Sequence, residues 1–263
     1  MRTLVFGDDS SPGADVAWLF INNHSWPEWR LEVIAAYMPE SGLPSTEECE
    51  LRRWDPPVPR QAFAEAGFAE VANLTTAADP RLALSRRADL LVVGPRGRGL
   101  LKSLHIGSTA DWMLLHPPAP LLIVRHGQTV RRVVLCSDGS AHAERVTEVL
   151  AGLPWVDQLE VTVLVIDDGR TNVETAWSHA VQTLERVGAI VNVSIESGRP
   201  TPRIEEHLVR AAPDLVALGT LGLTGLRHLR LGSTAGAIAR AATCSVLVAC
   251  DEAEYSRTVE AAQ

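Results

Sequence analysis

The sequence predicts two tandem α/β domains, each built on a doubly wound and mostly parallel β-sheet. Three observations lead to this fold class. The chain has 263 residues, which suffices for one large domain or two small ones. Five segments of the first half recur in the same order in the second half, about 125 to 130 residues later. Within each half, short apolar runs alternate with longer segments of helical period, as they do in α/β folds.

The repeat opens with a short apolar run that ends in aspartate and serine. Its two copies are RTLVFGDDSS at 2–11 and RVVLCSDGSA at 132–141. The other segments pair as RLEVIAAYMPE (30–40) with QLEVTVLVIDD (158–168), ADLLVVGPRG (88–97) with PDLVALGTLG (213–222), IGSTADWM (106–113) with LGSTAGAI (231–238), and APLLIVR (119–125) with CSVLVAC (244–250). A period this long exceeds that of solenoid repeats, so each copy is predicted to be a domain. The domains are placed at 1–127 and 130–250, followed by a C-terminal tail at 251–263.

The strands and helices of the second half have the clearest patterns. Apolar runs such as VTVLVI (161–166) and LVALG (215–219) lack polar alternation, which is typical of parallel strands covered on both faces. IEEHLVRAA (204–212) predicts a helix. TNVETAWSHAVQTLERVG (171–188) predicts an amphipathic helix that ends at Gly188, with an apolar face of Val173, Trp177, Val181, Leu184 and Val187. The first half departs at 39–60, where five prolines oppose a long helix and favour a loop with short helical pieces.

Charge and hydropathy narrow the functional class. The net charge of −8 argues against nonspecific nucleic-acid binding, which needs a basic surface. No apolar run approaches the roughly 18 residues of a membrane span, and the N-terminal MRTLVFGDDS has no signal-peptide pattern, so a cytoplasmic location is expected. The four cysteines lack zinc-site spacing and are expected to be buried free thiols: Cys49, Cys136, Cys244 and Cys250.

A glycine-rich segment, GPRGRGLLKSLHIGST at 94–109, follows a predicted strand. A Walker loop requires lysine where this sequence has Leu100, and a Rossmann loop requires glycine where it has Lys102. A third pattern, G-x2-G-x9-G-[ST], occurs once in each half at corresponding positions. Its members are Gly94, Gly97, Gly107 and Ser108 in the first half, and Gly219, Gly222, Gly232 and Ser233 in the second half.

Both loops have the residue types that a phosphate site needs. Each follows the carboxyl end of a strand and precedes a helix, whose N-terminal N–H groups favour an anion. Asp8 and Asp138 stand at the end of the first strand of each half, where a carboxylate can accept hydrogen bonds from a ribose or a base. Basic side chains between the glycines would add positive potential: Arg96, Arg98, Lys102, Arg227 and Arg230.

Each of these features also has a structural interpretation, and the sequence leaves both open. The serines after the last glycine can be helix N-caps, the two aspartates can cap the following helices, and the basic side chains can form a solvated loop face. His105 and His228 are interpreted as exposed or core histidines and not as catalytic groups. Asp167 and Asp168 do not form a metal-binding pattern, so no metal site is predicted.

With these segments aligned, the sequence resembles the universal stress protein family, in a tandem form with two copies of the domain in one chain. The resemblance covers about residues 2–126 and 131–250 and rests on GPRGRGLLKSLHIGST and SDGSAHAERV. It implies the universal stress protein fold, which is like that of the adenine nucleotide alpha hydrolases, with five mostly parallel strands in each half. It also implies ATP as the ligand of the nucleotide-binding members.

The resemblance assigns ligand roles residue by residue. Adenosine contacts are implied for Gly7, Asp8, Ser137 and Asp138, and Tyr37 and Val165 would face the adenine. Phosphate contacts are implied for Gly94, Gly97, Gly107, Ser108 and Thr109 in the first half, and for Gly219, Gly222, Gly232, Ser233 and Thr234 in the second half. The first half departs from the family pattern at Tyr37, in the proline-rich 39–60 segment and at Asp9, which stands where the second half has Gly139.

The expected function is that of a stress-response module that binds ATP, with or without Mg²⁺, and has no dedicated catalysis. Two alternatives stay open: a slow ATPase or phosphotransferase, and a member that binds no nucleotide and acts through protein contacts alone. No HxGH signature follows either first strand, which argues against a nucleotidyltransferase. The resemblance also implies that the two halves pair through their last strands, LLIV (121–124) and VLVA (246–249), as an intramolecular pseudo-dimer. A homodimer stays open, and the sequence does not identify a protein partner.

Overall fold

The computed structural model describes residues 1–37, 66–97, 106–222 and 231–250. These ranges contain ten β-strands and seven α-helices. The segment at 39–60, the middle of both glycine loops and the tail at 251–263 lie outside them. So do the residues of several predictions: Cys49, Arg98, Leu100, Lys102, His105, Arg227, His228 and Arg230.

Strands and helices alternate along both halves. The first half contains β1 (Arg2–Gly7), α1 (Pro12–Asn22), β2 (Trp29–Tyr37), β3 (Glu70–Ala77), α2 (Pro80–Leu84), β4 (Leu90–Val93), α3 (Ser108–Leu115) and β5 (Leu121–Ile123). The second half contains β6 (Arg132–Cys136), α4 (Ala141–Ala151), β7 (Glu160–Asp167), α5 (Val173–Arg186), β8 (Ile190–Ser197), α6 (Pro200–Ala211), β9 (Leu215–Gly219), α7 (Ser233–Ala241) and β10 (Ser245–Ala249). Of the helices in these ranges, none is long and apolar enough to cross a membrane.

All ten strands form one continuous sheet, in the order β3-β2-β1-β4-β5-β10-β9-β6-β7-β8. Strand pairs within each half are parallel, and the antiparallel pair of β5 with β10 joins the two halves. The predicted pairing of 121–124 with 246–249 is confirmed, because Val246 lies opposite Ile123 and Val248 lies opposite Leu121. The five-stranded sheets that the sequence predicts for each half are therefore two parts of a single sheet.

Helices cover both faces of the sheet, so residues that alternate along a strand enter two different cores. In β1, Leu4 and Phe6 belong to the core beneath α1, α4 and α5, whereas Val5 belongs to the core beneath α2, α3, α6 and α7. All three side chains are fully buried. The same burial on both faces explains why β7 and β9 have nearly continuous apolar sequences.

Helix α5 is amphipathic as predicted, but its buried face differs slightly from the predicted one. It starts after Asn172, whose side chain accepts a hydrogen bond from the main-chain nitrogen of Thr175 at 3.2 Å. Its buried face consists of Ala176, Ala180 and Leu184, beside the partly buried Val173, Trp177 and Val181. Val187 follows the last helical residue and is 37% exposed, so its predicted place on the apolar face is wrong. The predicted helix at 204–212 is α6, which starts four residues earlier, at Pro200.

The connection between the halves is fixed to α1 through His24. The main-chain nitrogen of Val130 donates to Nε2 of His24 at 3.0 Å, so Nδ1 carries the hydrogen and donates to the carbonyl of Phe20 at 2.7 Å. The ring also packs against Trp155 of the second half, with centroids 4.4 Å apart. The predicted domain boundary therefore lies in a segment that hydrogen bonds hold in place.

Candidate functional site

The second half contains a cavity of about 370 Å³ at the carboxyl ends of β6, β7 and β9. In a doubly wound sheet, ligands bind at this edge. One side of the cavity is apolar and includes Leu164, Ile166 and Leu218. The polar residues of the lining are Ser137, Asp138, Ser140, Asp168, Arg170, Thr171, Thr220, Ser233 and Thr234. A cavity that combines an apolar wall with a few polar groups suits a ligand with a ring and a polar tail.

The polar end of the cavity is the N-terminus of α7. Gly232 is the N-cap of this helix and provides no side-chain hydrogen bond, and Ser233 is its first residue. Ser233 is therefore not the N-cap, which corrects one of the two interpretations that the sequence leaves open. Ser108 is likewise the first residue of α3, after Gly107. Because the N-cap of each helix is a glycine without a side chain, it does not occupy the N–H groups of the first turn, which favour an anion.

Asp138 stands beside the glycine loop and lines the cavity. Its Oδ1 accepts a hydrogen bond from the main-chain nitrogen of Ser140 at 3.0 Å, and Ser140 in turn caps α4. A Cβ on Gly222 would lie 2.7 Å from Oδ2 of Asp138. The carboxylate thus organises the start of α4 and also faces the cavity, and glycine at 222 leaves room for it.

Ser137 also lines the cavity, but its hydroxyl is directed to α5. The hydroxyl donates to the carbonyl of Ala176 at 2.5 Å and accepts from the main-chain nitrogen of Gly139 at 3.4 Å. Gly219 has a packing reason as well, because a Cβ there would lie 2.7 Å from the carbonyl carbon of His142. These two sequence-predicted site residues therefore shape the cavity wall by holding α5 and α4 close to the sheet.

Val165 does not line the cavity with its side chain. That side chain is fully buried in the core beneath α4 and α5, on the opposite face of the sheet from Leu164 and Ile166. The prediction that Val165 faces an adenine is thus corrected for the side chain, because successive residues of a strand point to opposite faces. Leu164 and Ile166 line the cavity instead.

A turn after β7 contributes Asp168, Arg170 and Thr171 to the lining of the cavity. The sequence analysis did not select Arg170 or Thr171, and it considered Asp168 only as a metal ligand. Oδ1 of Asp168 accepts from the main-chain nitrogens of Arg170 at 2.9 Å and Thr171 at 3.2 Å. The hydrogen bond from Arg170 is the main cause that lowers the pKa of the Asp168 carboxyl. The signal in the sequence was the run of aspartate, glycine and threonine after an apolar strand, which favours such a turn.

Cys136 lies at the sheet end of the cavity. Burial raises the pKa of its thiol to about 12, so the thiol is protonated at neutral pH and is not an activated nucleophile. Cys136, Cys244 and Cys250 are free thiols, and the latter two are buried as predicted. No group of three or more histidine, cysteine or acidic side chains suited to a metal ion occurs among residues 1–37, 66–97, 106–222 and 231–250.

The first half repeats the same loop geometry. The main-chain nitrogen of Gly107 donates to the carbonyl of Pro95 at 2.7 Å, and that of Gly232 donates to the carbonyl of Thr220 at 2.7 Å. Gly94 lies against Gly13 of α1, as Gly219 lies against α4. The spacing predicted for the two loops therefore corresponds to one structural unit, which is present twice and brings Ser108 and Thr109 to the start of α3.

The strand registers show that the sequence alignment of the two halves was wrong by one residue at the aspartates after β1 and β6. Leu4 pairs with Leu90 and Val133 pairs with Leu215, so Asp9 is the counterpart of Asp138. Gly7 and Asp8 then correspond to Cys136 and Ser137. Two contacts agree: the main-chain nitrogen of Ser11 donates to Oδ1 of Asp9 at 3.0 Å, and a Cβ on Gly97 would collide with Oδ2 of Asp9. The carboxylate at the first loop is thus Asp9, and the sequence-based choice of Asp8 is corrected.

The sequence alignment of β2 with β7 was wrong by two residues. Leu4 pairs with Leu31 in the first half, and Val133 pairs with Val161 in the second half. Ala35 is therefore the counterpart of Val165, and the pairing of Tyr37 with Val165 is corrected. The shared letters LEV had favoured the wrong register. Tyr37 is the last residue of β2, and its side chain lies outside the described part of the chain.

Because Ser10 and Gly139 are counterparts, exchanging their residue types should affect the stability of the two halves differently. Ser10 has φ of 54° and its counterpart Gly139 has φ of 77°, both in the left-handed region that glycine adopts without a steric penalty. We expect Gly139→Ser to lower the free energy of unfolding by about 1 kcal/mol. The converse change, Ser10→Gly, should not lower it. Urea denaturation of both variants tests this, and an unchanged midpoint for Gly139→Ser would contradict it.

Several known proteins that are similar to this chain are described as universal stress proteins. The Universal stress protein family model matches residues 71–125 and 157–249, one segment in each half. A universal stress protein of Synechocystis is 27% identical over 165 residues, which are 60% of this chain and 57% of that protein. A universal stress protein of Mycolicibacterium smegmatis is 26% identical over 184 residues, 62% of each chain. The match thus spans less than two thirds of either relative's length.

Several solved structures match over nearly the whole length of this chain. The crystal structure of a universal stress protein from Archaeoglobus fulgidus has a TM-score of 0.66 and 21% sequence identity. The alignment covers 95% of this chain and 96% of that one. At this identity the likeness concerns the fold, and it agrees with the two-part α/β architecture described above.

Proposed function

The chain belongs to the universal stress protein family in its tandem form, and from this premise we propose that it binds ATP in the cavity of the second half. It would act as a nucleotide-dependent stress-response module without dedicated catalysis. One observation carries this proposal: a single cavity combines an apolar wall, an aspartate and a helix N-terminus whose N-cap is a glycine. Its volume of about 370 Å³ lies in the range of ligand pockets, roughly 300–1,000 Å³.

The adenosine part of the ligand fits the sheet end of the cavity. Leu164 and Ile166 offer an apolar surface for the base, and Asp138 offers a carboxylate that can accept hydrogen bonds from ribose hydroxyls. Val165 and Ser137 would contribute through their main chains, since their side chains are engaged in the core and with α5. This arrangement favours a nucleoside over a purely anionic ligand.

The phosphates fit the loop end. The backbone of Gly219, Gly222 and Gly232 approaches the cavity without side chains, and Ser233 and Thr234 open α7 there. Arg170 lines the same cavity and would add positive charge. Whether Mg²⁺ accompanies the phosphates belongs to the proposal and is tested by titration with and without the ion.

The first half offers a second site of the same design. Asp9 takes the place of Asp138, and Gly94, Gly97, Gly107, Ser108 and Thr109 form the corresponding loop and helix start. Gly7, Asp8 and Tyr37 lie at the ends of β1 and β2. The strand registers align them with second-half residues other than those that the sequence alignment gave. We propose this loop as the first-half phosphate site.

Titration calorimetry with ATP tests the second-half site. We expect Gly222→Val to raise the Kd for ATP at that site at least about thirtyfold, or about 2 kcal/mol, because the new side chain collides with Asp138. Gly97→Val is the matched variant of the first half and should leave second-half binding unchanged. ATP binding that survives Gly222→Val undiminished, or a wild type that binds no ATP, would refute the proposal.

The absence of catalysis is tested separately, by phosphate release from ATP. No histidine occurs among the described residues that line the cavity, and the Cys136 thiol is protonated. A turnover above about 1 s⁻¹, the lower end for typical enzymes, would favour the ATPase alternative.

Four further points remain part of the proposal: the domain limits 1–127 and 130–250, the tail at 251–263, the cytoplasmic location and a homodimer.

A further inference from the structure

Strand β8 forms the edge of the sheet in the second half. It pairs with β7 in an unbroken parallel register from Ile190 to Ser197. Within the part of the chain that the structure describes, no strand lies beyond β8. Exposed edge strands are usually protected from other chains by short length, lysine, proline or a bulge. None of these protects β8, since the strand has eight residues with the sequence IVNVSIES.

The outer side of β8 presents main-chain hydrogen-bonding groups. The main-chain nitrogen of Ile190 donates to the carbonyl of Leu159 at 2.9 Å, and that of Gly198 donates to the carbonyl of Asp167 at 3.0 Å. Successive residues of a strand direct their main-chain groups to opposite sides. The odd-numbered residues from 191 to 195 therefore direct theirs away from β7, where another strand could pair with them.

Aliphatic side chains at this edge are only partly covered. Val193 pairs with Val163 and Ile195 pairs with Val165, so both lie on the face of the sheet that α4 and α5 cover. Val193 is nevertheless 41% exposed and Ile195 is 53% exposed. On the other face, Ile190 is 67% exposed. The core beneath α5 thus continues to the edge of the sheet and is left partly open there.

Charge does not oppose contact between two copies of this edge. Glu196 is the one charged residue in the sequence of β8. Its carboxylate is held by α6, because Nδ1 of His207 lies 2.8 Å from Oε1 and Nη2 of Arg210 donates to the same oxygen. The acid is compensated within its own chain. Two copies of β8 can therefore approach without placing uncompensated like charges opposite each other.

The size of this edge suits a stable interface between two chains. Eight residues at about 3.4 Å each give β8 a length of roughly 27 Å. The sheet and a helix on each face, at about 10 Å per layer, give a thickness of roughly 30 Å. The product is roughly 800 Å², which is the area per partner of a standard protein interface.

We propose that two copies of the chain associate through β8 in an antiparallel pair with two-fold symmetry, which joins their ten-stranded sheets into one. Directly opposite residues of an antiparallel pair lie on the same face, so Val193 and Ile195 of the two copies meet and cover each other. The last strands β5 and β10 each have a neighbour on both sides, so a second chain has no free strand edge there. The inference assigns a surface to the proposed homodimer and does not depend on nucleotide binding.

Sedimentation velocity of the full chain without nucleotide tests the inference. We expect the dimer fraction to rise with protein concentration between about 1 and 100 µM. Ile195→Lys should raise the Kd of the dimer at least about tenfold, because it places two ammonium groups in the paired edge. Leu74→Lys is the matched control, since it changes a 42% exposed aliphatic residue of β3, the strand at the opposite edge, and should leave the dimer intact.

Hydrogen exchange of the wild-type chain provides a test that needs no variant. The outward main-chain N–H groups of Val191, Val193 and Ile195 should exchange more slowly at about 100 µM than at about 1 µM protein. A monomer at about 100 µM, a dimer that Ile195→Lys leaves intact or Leu74→Lys dissociates, or exchange at β8 that is independent of concentration would overturn the inference. Failure of the proposed nucleotide binding has a different signature, the absence of ATP binding heat, and would leave these results unchanged.

Discussion

Gly94→Ala is expected to lower the free energy of unfolding by about 3 kcal/mol, the upper part of the range for overpacking a rigid site. A methyl group on Gly94 would overlap the carbonyl of Gly13 and lie 2.9 Å from the main-chain nitrogen of Ala14. These atoms belong to the first turn of α1 and cannot move without displacing the helix from the sheet. Chemical denaturation, monitored by circular dichroism, measures the loss.

Gly152→Ala is the matched control for this prediction. A methyl group there would also meet another residue at short range, but that residue is the guanidinium of Arg2, the end of a flexible side chain. Rotation of Arg2 relieves the contact, so we expect a change of less than about 1 kcal/mol. If both variants lose the same stability, close approach of α1 to β4 is not the reason for glycine at 94. A loss of ATP binding by Gly94→Ala at temperatures where it is folded would show that the strand-to-helix distance also shapes the site.

Acidification below pH 6.5 is expected to destabilise the protein through His24. The side chain is buried, and this burial is the main cause that lowers its pKa from 6.5. The folded state therefore binds its proton at lower pH than the unfolded state does. The stability is fully present above pH 6.5 and is lost as pH falls from 6.5 through the folded-state pKa, by up to about 1.4 kcal/mol per pH unit for this one group.

His24→Gln tests this assignment, because glutamine does not titrate in this range. Between pH 7 and 5 the variant should lose less stability than the wild type, although its stability at pH 7 is lower, since the hydrogen bonds with Val130 and Phe20 are disturbed. His179→Gln changes an exposed histidine of α5 and should keep the wild-type pH dependence. An unchanged slope in His24→Gln would mean that other groups cause the acid effect. The junction between the halves, which His24 connects to Val130, would then not be the acid-sensitive element.

The glycine loops show how far a sequence pattern reaches into the site. Their spacing correctly predicted a unit that is present twice, at a strand end and before a helix, because the close contacts of Gly94 and Gly219 with α1 and α4 admit no side chain. The pattern did not reveal that glycine itself is the N-cap of α3 and α7. It also could not show Arg170 at the cavity, since that residue belongs to a turn distant in sequence from both loops.

The registers show the limit of aligning one half with the other. Apolar strands such as β2 and β7 match each other almost equally well when shifted by one or two residues, because valine, leucine and isoleucine recur along them. Hydrogen bonds between neighbouring strands fix the true register. A shift of one residue reverses the faces of the side chains, whereas a shift of two keeps the faces and moves each side chain along the strand. For this reason Asp9, and not Asp8, stands beside the first loop, and Ala35, and not Tyr37, corresponds to Val165.

The sequence by itself determined the class of fold, the two copies and the family, because each depends on the order and local pattern of residues. The tertiary structure alone decided that the ten strands form one sheet and which side chains line the cavity. These features depend on contacts between residues far apart in the chain. Local preference does not encode such contacts, and packing and main-chain hydrogen bonding select them only when the whole chain is folded.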